Sequence, residues 1–107
     1  MTKITFYKKN NLIIGFEITG HTGKDDYGKD LLCCQISTVA QSVVVGVCEI
    51  EKLHAFKMIK DGYLKLNIQE KDAQSEKIQF LMQTALESFK SIIINEEKYA
   101  KLEVKNV

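Results

Sequence analysis

The chain opens on alternation. Across residues 2–7, Ile4 and Phe6 fall on one face and Thr5 and Tyr7 on the other. Lys8-Lys9-Asn10-Asn11 reads as a turn. Residues 12–19 alternate again, with Ile14, Phe16 and Ile18 on one side and Gly15, Glu17 and Thr19 on the other. A period of two on both sides of a polar turn predicts an N-terminal hairpin. The period then lengthens. Ile36, Val39, Ala40, Val43, Val47 and Ile50 recur at spacings of three and four, which predicts a helix with one buried face from Leu31 to about Leu53. The Val43-Val44-Val45 run suits a strand by propensity, but the longer period and the lack of turn signals favour helix. Gly46 is either a weak point in that helix or a place where something packs closely.

Residues 55–60 and 63–69 predict two strands around Asp61-Gly62, a short-hairpin signal. Phe56 and Met58 share a face of the first. Leu64, Leu66 and Ile68 alternate with Lys65 and Asn67 on the second. The polar stretch 69–75 leads into a helix over 75–94 with the stripe Ile78, Leu81, Ala85, Phe89 and Ile92, capped by Asp72 or Ser75. Residues 99–104 form a last strand. The order is β-β-α-β-β-α-β: an α+β fold, a mostly antiparallel sheet packed by two helices. At 107 residues, 1–107 is a single domain with one core.

Composition narrows the function. Apolar residues make up 45% of the chain, which excludes disorder by composition, and the net charge of +1 argues against direct nucleic-acid binding. Every basic residue is lysine, so bidentate guanidinium recognition is absent. No signal peptide is expected, and no uninterrupted apolar run reaches the ~18–20 residues of a membrane span. Cys33, Cys34 and Cys48 cannot all pair, and their spacing does not suggest zinc. A reduced cytoplasmic setting is therefore expected, with no metal or cofactor.

The candidate chemistry lies between Gly20 and Cys34. Asp30 is a good N-cap, which makes Leu31, Leu32 and Cys33 the first helical residues. Unpaired N–H groups and the positive end of the helix dipole favour a thiolate there. Cys34 lies about 100° further round the turn. His21 ends the second strand, twelve positions before Cys33, with a polar loop between them. An imidazole returned to the helix start would take the thiol proton, as a Cys-His pair does in acyl transfer. Asp30 or Asp26 would orient the ring, and backbone N–H groups around Cys33 and Cys34 would hold an oxyanion. On the residues alone, a cysteine in an apolar helix is more often a small buried hydrophobe, and Asp30 is equally explained as a cap. Cys48 reads as core and His54 as a solvated or capping residue.

Gly20-His21, then Tyr27-Gly28-Lys29-Asp30-Leu31-Leu32-Cys33 with Ser37 four residues on, resembles the ribosomal-processing cysteine protease family. The family pattern is Gly-His-Ala, a short glycine-containing loop, then Gly-x-Asp-Ile-Val-Cys-Ala-x-x-Ser. The resemblance implies that His21 is the catalytic base and Cys33 the nucleophile. It associates Asp30 and Ser37 with the site. Gly20, Gly23, Tyr27 and Gly28 are read as a substrate loop, and the stretch 22–29 is expected to close over an extended peptide, its glycines permitting the movement. It also implies a bacterial, cytoplasmic, homodimeric endopeptidase. Such an enzyme removes an N-terminal extension from a large-subunit ribosomal protein precursor. Thr22 stands in place of the family's alanine, Leu31-Leu32 in place of Ile-Val, and Cys34-Gln35 where small residues are usual. Cys34 is a lesser candidate for the reactive thiol. Two other readings stand beside this one: a non-enzymatic ribosome-assembly or protein-binding module, and a redox or acyl-transfer protein using Cys33 and Cys34.

Overall fold

The computed structural model describes residues 1–107. Strands β1 (Thr2–Lys9) and β2 (Leu12–Thr19) form the expected hairpin. Its turn is only Asn10-Asn11, both at positive φ (52° and 66°), so Lys8 and Lys9 belong to the strand rather than the turn. Two left-handed residues give the turn whose twist matches the flanking strands, and asparagine tolerates that conformation.

The expected alternation in β2 fails at one place. Tyr7 pairs with Gly15 but Lys8 pairs with Ile13, so Ile14 is an extra residue, a β-bulge. Ile13 therefore turns into the core, while Ile14 is only partly buried. A bulge leaves strand backbone groups without ladder partners. Gln79 supplies them: its Oε1 accepts from the Ile13 N–H at 2.9 Å, and its Nε2 donates to the Ile13 carbonyl at 2.9 Å.

Helix α1 (Leu31–Val45) runs on into a wider π turn, Gly46–Ile50, and stops short of Leu53. The Glu51 N–H bonds the Gly46 carbonyl five residues back. That extra residue per turn shifts the phase, so Ile50, expected on the buried face, is 71% exposed. Gly46 is a close-packing site: a Cβ there would lie 2.8 Å from Leu81 Cδ2. Residues 31–50 also form one 20-residue helix whose most apolar 18-residue window has mean hydropathy 1.8, long and apolar enough to cross a membrane. Counting uninterrupted apolar residues missed this, because Gln35, Ser37, Thr38, Gln41 and Ser42 break the run without lowering its average enough. Here one side of the helix, with Leu32, Ile36, Ala40, Val43, Val44 and Val47, is buried in the core.

Strands β3 (Phe56–Lys60) and β4 (Tyr63–Asn67) follow, then a single helical turn α2 (Glu70–Ala73) within the polar stretch 69–75. Helix α3 (Glu76–Ile92) is capped by Ser75, whose Oγ accepts from the Ile78 N–H at 3.4 Å. β5 (Ala100–Asn106) closes the chain. The sheet order is β3-β4-β2-β1-β5, with β1 and β5 parallel and every other pair antiparallel. The core centres on three phenylalanines: Phe6 and Phe16 stack at 5.1 Å, and Phe89 meets them edge-on at 5.9 and 6.1 Å. Phe56 and Met58 do share a face of β3, but it is the solvent face, opposite Asn67 and Lys65; Ile59, opposite Leu64, is on the helix side.

This topology sets the site. Because β4 pairs antiparallel with β2, Thr19 lies opposite Tyr63, and the Asp61-Gly62 turn comes to the end of β2. The start of α1 lies at the same end.

Candidate active site

Asp30 organises the helix start. It is extended (φ −83°, ψ 98°), and its Oδ1 accepts from the Cys33 N–H at 3.0 Å, the bond expected of an N-cap. Its Oδ2 accepts from the Thr22 hydroxyl and from the backbone N–H groups of Lys24 (3.0 Å) and Asp25 (3.3 Å). Burial works to raise the Asp30 pKa. The hydrogen bonds from Thr22, Cys33, Asp25 and Lys24 outweigh it and lower the value from 3.8 to about 2. Thr22 is therefore a buried partner of the cap and not merely a change from alanine.

A testable pH dependence follows. A depressed carboxylate pKa contributes stability that is fully present above the unfolded value near 3.8 and lost as pH falls through the folded value of about 2. Asp30→Ala should lower stability by about 1–2 kcal/mol at neutral pH, as loss of an N-cap does. The gap from wild type should close between about pH 4 and pH 2, read by denaturant unfolding at a series of pH values.

The loop from Thr22 to Lys29 is tied at its first half. Besides the bonds to Asp30, Lys24 Nζ lies 2.6 Å from Glu96 Oε1 and 5.7 Å from the Tyr99 ring centroid. The second half holds only local contacts, such as Lys29 N–H to the Asp26 carbonyl at 2.9 Å. Tyr27 there is 87% exposed. A closing movement of the whole segment 22–29 would break the ties to Asp30, whereas Tyr27 and Gly28 at the tip make none of those bonds. Gly20 is constrained differently. It sits at φ +84°, and a Cβ would fall 2.3 Å from the Met1 carbonyl oxygen.

His21 emerges from this corner with 46% of its side chain exposed. Its ring lies against Gly62, edge-on to Tyr27 with centroids 6.2 Å apart, and its Nε2 is 3.5 Å from Asp61 Oδ1. The expectation that Asp30 or Asp26 orients the ring is corrected here. Asp30 is committed to four donors, and the carboxylate beside the imidazole is that of Asp61. The expected oxyanion donors are corrected too. The Cys33 N–H is held by the Asp30 side chain and the Cys34 N–H by the Asp30 carbonyl, so at the helix start only the Leu31 and Leu32 N–H groups lack a protein partner.

One cleft of about 610 Å³ gathers these groups. Gly20, His21, Gly23, Tyr27, Gly28, Asp30, Cys33, Cys34 and Ser37 all line it, with an apolar floor from Ile18, Ile36, Ala40 and Leu64. Cys33 is half-buried and Cys34 exposed, and both are free thiols. Their Cα atoms are about 3.8 Å apart, short of the usual ~4.4–6.8 Å of a bridge, and the helix holds the two as separate thiols. Ser37 Oγ accepts from Gln41 Nε2 at 2.8 Å. No group of three His, Cys, Asp or Glu side chains converges as a metal site. The arrangement offers a thiol and an imidazole on the walls of a solvent-open cleft, the groups that acyl transfer through a thioester requires.

A sequence model of the family described as cysteine protease Prp matches residues 1–101. The chain belongs to this family. It is a cysteine protease of the Prp type. No curated protein matches the chain in sequence. Among solved structures, it is similar to SMU.848 from Streptococcus mutans at 22% identity and TM-score 0.86, over 100% of this chain and 96% of that one. It is also similar to the essential ribosomal processing protease Prp from S. aureus with a covalently linked product peptide, at 18% identity and TM-score 0.88 over 98% and 100% of the two chains. The S. aureus Prp complex with a substrate peptide matches over the same shares at 18% identity and TM-score 0.82. At these identities the structural likeness establishes the fold.

Sequence reasoning missed one wall of the Prp cleft. Asp61 and Gly62 were legible only as a turn, and Ile59, Lys60, Tyr63 and Gln41 carried no signal at all, yet all six line the cleft. For Ile59 to Tyr63 the only clue was the hairpin itself, and its place beside His21 depends on strand order.

Proposed function

We propose that this Prp-family protease removes the N-terminal extension of a large-subunit ribosomal protein precursor, with Cys33 as nucleophile and His21 as base. The observation that carries the reading is that both side chains line one solvent-open cleft, with Cys33 at the capped, positive end of α1. The S. aureus Prp structures bearing a covalently linked product peptide and a substrate peptide support it.

In the proposed reaction His21 takes the proton from Cys33 Sγ. The thiolate attacks the scissile carbonyl carbon, and charge moves to its oxygen. As the C–N bond breaks, protonated His21 gives its proton to the departing amine, which leaves as the N-terminus of the mature protein. The extension remains on Sγ as a thioester. His21 then takes a proton from water, which attacks the thioester carbonyl, and the extension departs as a free carboxylic acid while Sγ regains its proton. Asp30 holds the helix start and the first half of the loop, and the tip around Tyr27 and Gly28 closes on the peptide. Ser37 lines the cleft one helical turn beyond Cys33.

The enzyme is further proposed to act in the cytoplasm as a homodimer, without binding nucleic acid directly. Incubation with the ribosomal protein precursor from the same organism, followed by intact-mass measurement, tests the substrate assignment. Conversion to a single shortened species with loss of an N-terminal peptide is expected. An unchanged precursor mass, while another peptide is cleaved, would overturn it.

A further inference from the structure

Which nitrogen of an imidazole acts as base is set by what holds the other one. At His21 the structure provides one holder. Nε2 lies 3.5 Å from Asp61 Oδ1, within ion-pair reach. The same turn confines the ring sterically: a Cβ on Gly62 would sit 3.0 Å from Nε2 and 3.4 Å from Cδ2, so only glycine lets the imidazole lie there without displacement. The turn is anchored to the residue before the histidine, because the Gly20 N–H donates to the Gly62 carbonyl at 2.8 Å. Gly62 itself is at φ +69°, a conformation that suits glycine. Backbone and side chain of this hairpin thus converge on His21 from one direction. The carboxylate that sequence spacing favours, Asp30, is committed to the loop and the helix cap.

We propose that Asp61 is the positioning residue for His21: its carboxylate accepts from Nε2–H and leaves Nδ1 as the atom that takes the Cys33 proton. This inference rests on the assignment of Cys33 and His21 above. It gives the β3–β4 turn a task beyond joining two strands, and it fixes the imidazole tautomer before substrate arrives. The contact is solvent-exposed, with side chains 46% and 77% accessible, so it contributes little to stability and Asp61 variants should fold.

The test combines nitrogen-15 NMR of His21 in the full chain with kinetics on the ribosomal precursor. Neutral His21 should carry its proton almost entirely on Nε2 in the wild type, and the Nδ1-protonated fraction should rise in Asp61→Ala towards that of a free histidine side chain. Asp61→Ala should lower kcat on the order of 10- to 100-fold, the scale of a misplaced catalytic group, with KM little changed. Asp61→Asn, whose amide oxygen still accepts from Nε2–H, should keep the tautomer and most of kcat. The proposal is overturned if wild-type His21 is protonated on Nδ1, or if Asp61→Ala leaves kcat unchanged. Equal losses in both variants with an unmoved tautomer overturn it as well. Normal cleavage by His21→Ala would remove the base assignment instead, and the tautomer measurement still judges the Asp61 contact without any activity.

Discussion

Cys33→Ala should abolish cleavage of the extended ribosomal protein, and Cys34→Ala should leave most of it. The loss expected for a covalent nucleophile is roughly 10⁶-fold in kcat, since the remaining groups act only around an attack that no longer occurs. The fold should survive. The cap bond from Cys33 to Asp30 uses the backbone N–H, which alanine keeps, and alanine is the best helix former. The Cys33 side chain is only half-buried, so little packing is lost. Product masses and far-UV circular dichroism on the same samples separate a dead enzyme from an unfolded one. Cleavage by Cys33→Ala at the wild-type rate, with loss in Cys34→Ala, would transfer the nucleophile to Cys34, which lines the same cleft.

His21→Ala should come second in size, with a loss on the order of 10²–10⁴-fold in kcat, the range for general acid–base catalysis. It removes both transfers at once, the one that frees the thiolate and the one that protonates the leaving amine. Without the second transfer the tetrahedral intermediate expels the thiolate more readily than the amine, so attack reverses. The side chain is half-exposed and makes only the Gly62, Tyr27 and Asp61 contacts, so stability should change little. Steady-state kinetics on the precursor, with a thermal melt as the control, gives the answer.

Much of this architecture was legible because local pattern and tertiary demand agree. The hairpin 2–19 and the two long helices have clean periods, and Asp30 before an apolar helix announced both the cap and a reason for Cys33 to sit at its start. The misreadings came from long-range partners. Ile13 replaces Ile14 in the core because a bulge is completed by Gln79, distant in sequence and close in space. Ile50 leaves the buried face because the π turn beginning at Gly46 resets the helix phase, and no local residue preference marks such a turn. Phe56 and Met58 share a face of β3 as expected, and that face is turned to solvent on an edge strand.

The site divides the same way. Residues 20–37 carried the family resemblance, and the structure places His21, Asp30, Cys33 and Ser37 along one cleft. The role of Asp61 was hidden. Its nearest chemical partner is set by β4 lying beside β2, and strand order is not written in any window of sequence. Thr22 looked like a neutral departure from alanine until its hydroxyl was found on the Asp30 carboxylate.

The most direct test of the account is acid quench of the wild-type enzyme early in turnover, followed by fragment-ion mapping of the peptide that contains Cys33 and Cys34. The account predicts the N-terminal extension attached as a thioester to Cys33, still present in Cys34→Ala and absent in Cys33→Ala. An acyl group on Cys34, or the same adduct persisting in Cys33→Ala, would contradict it.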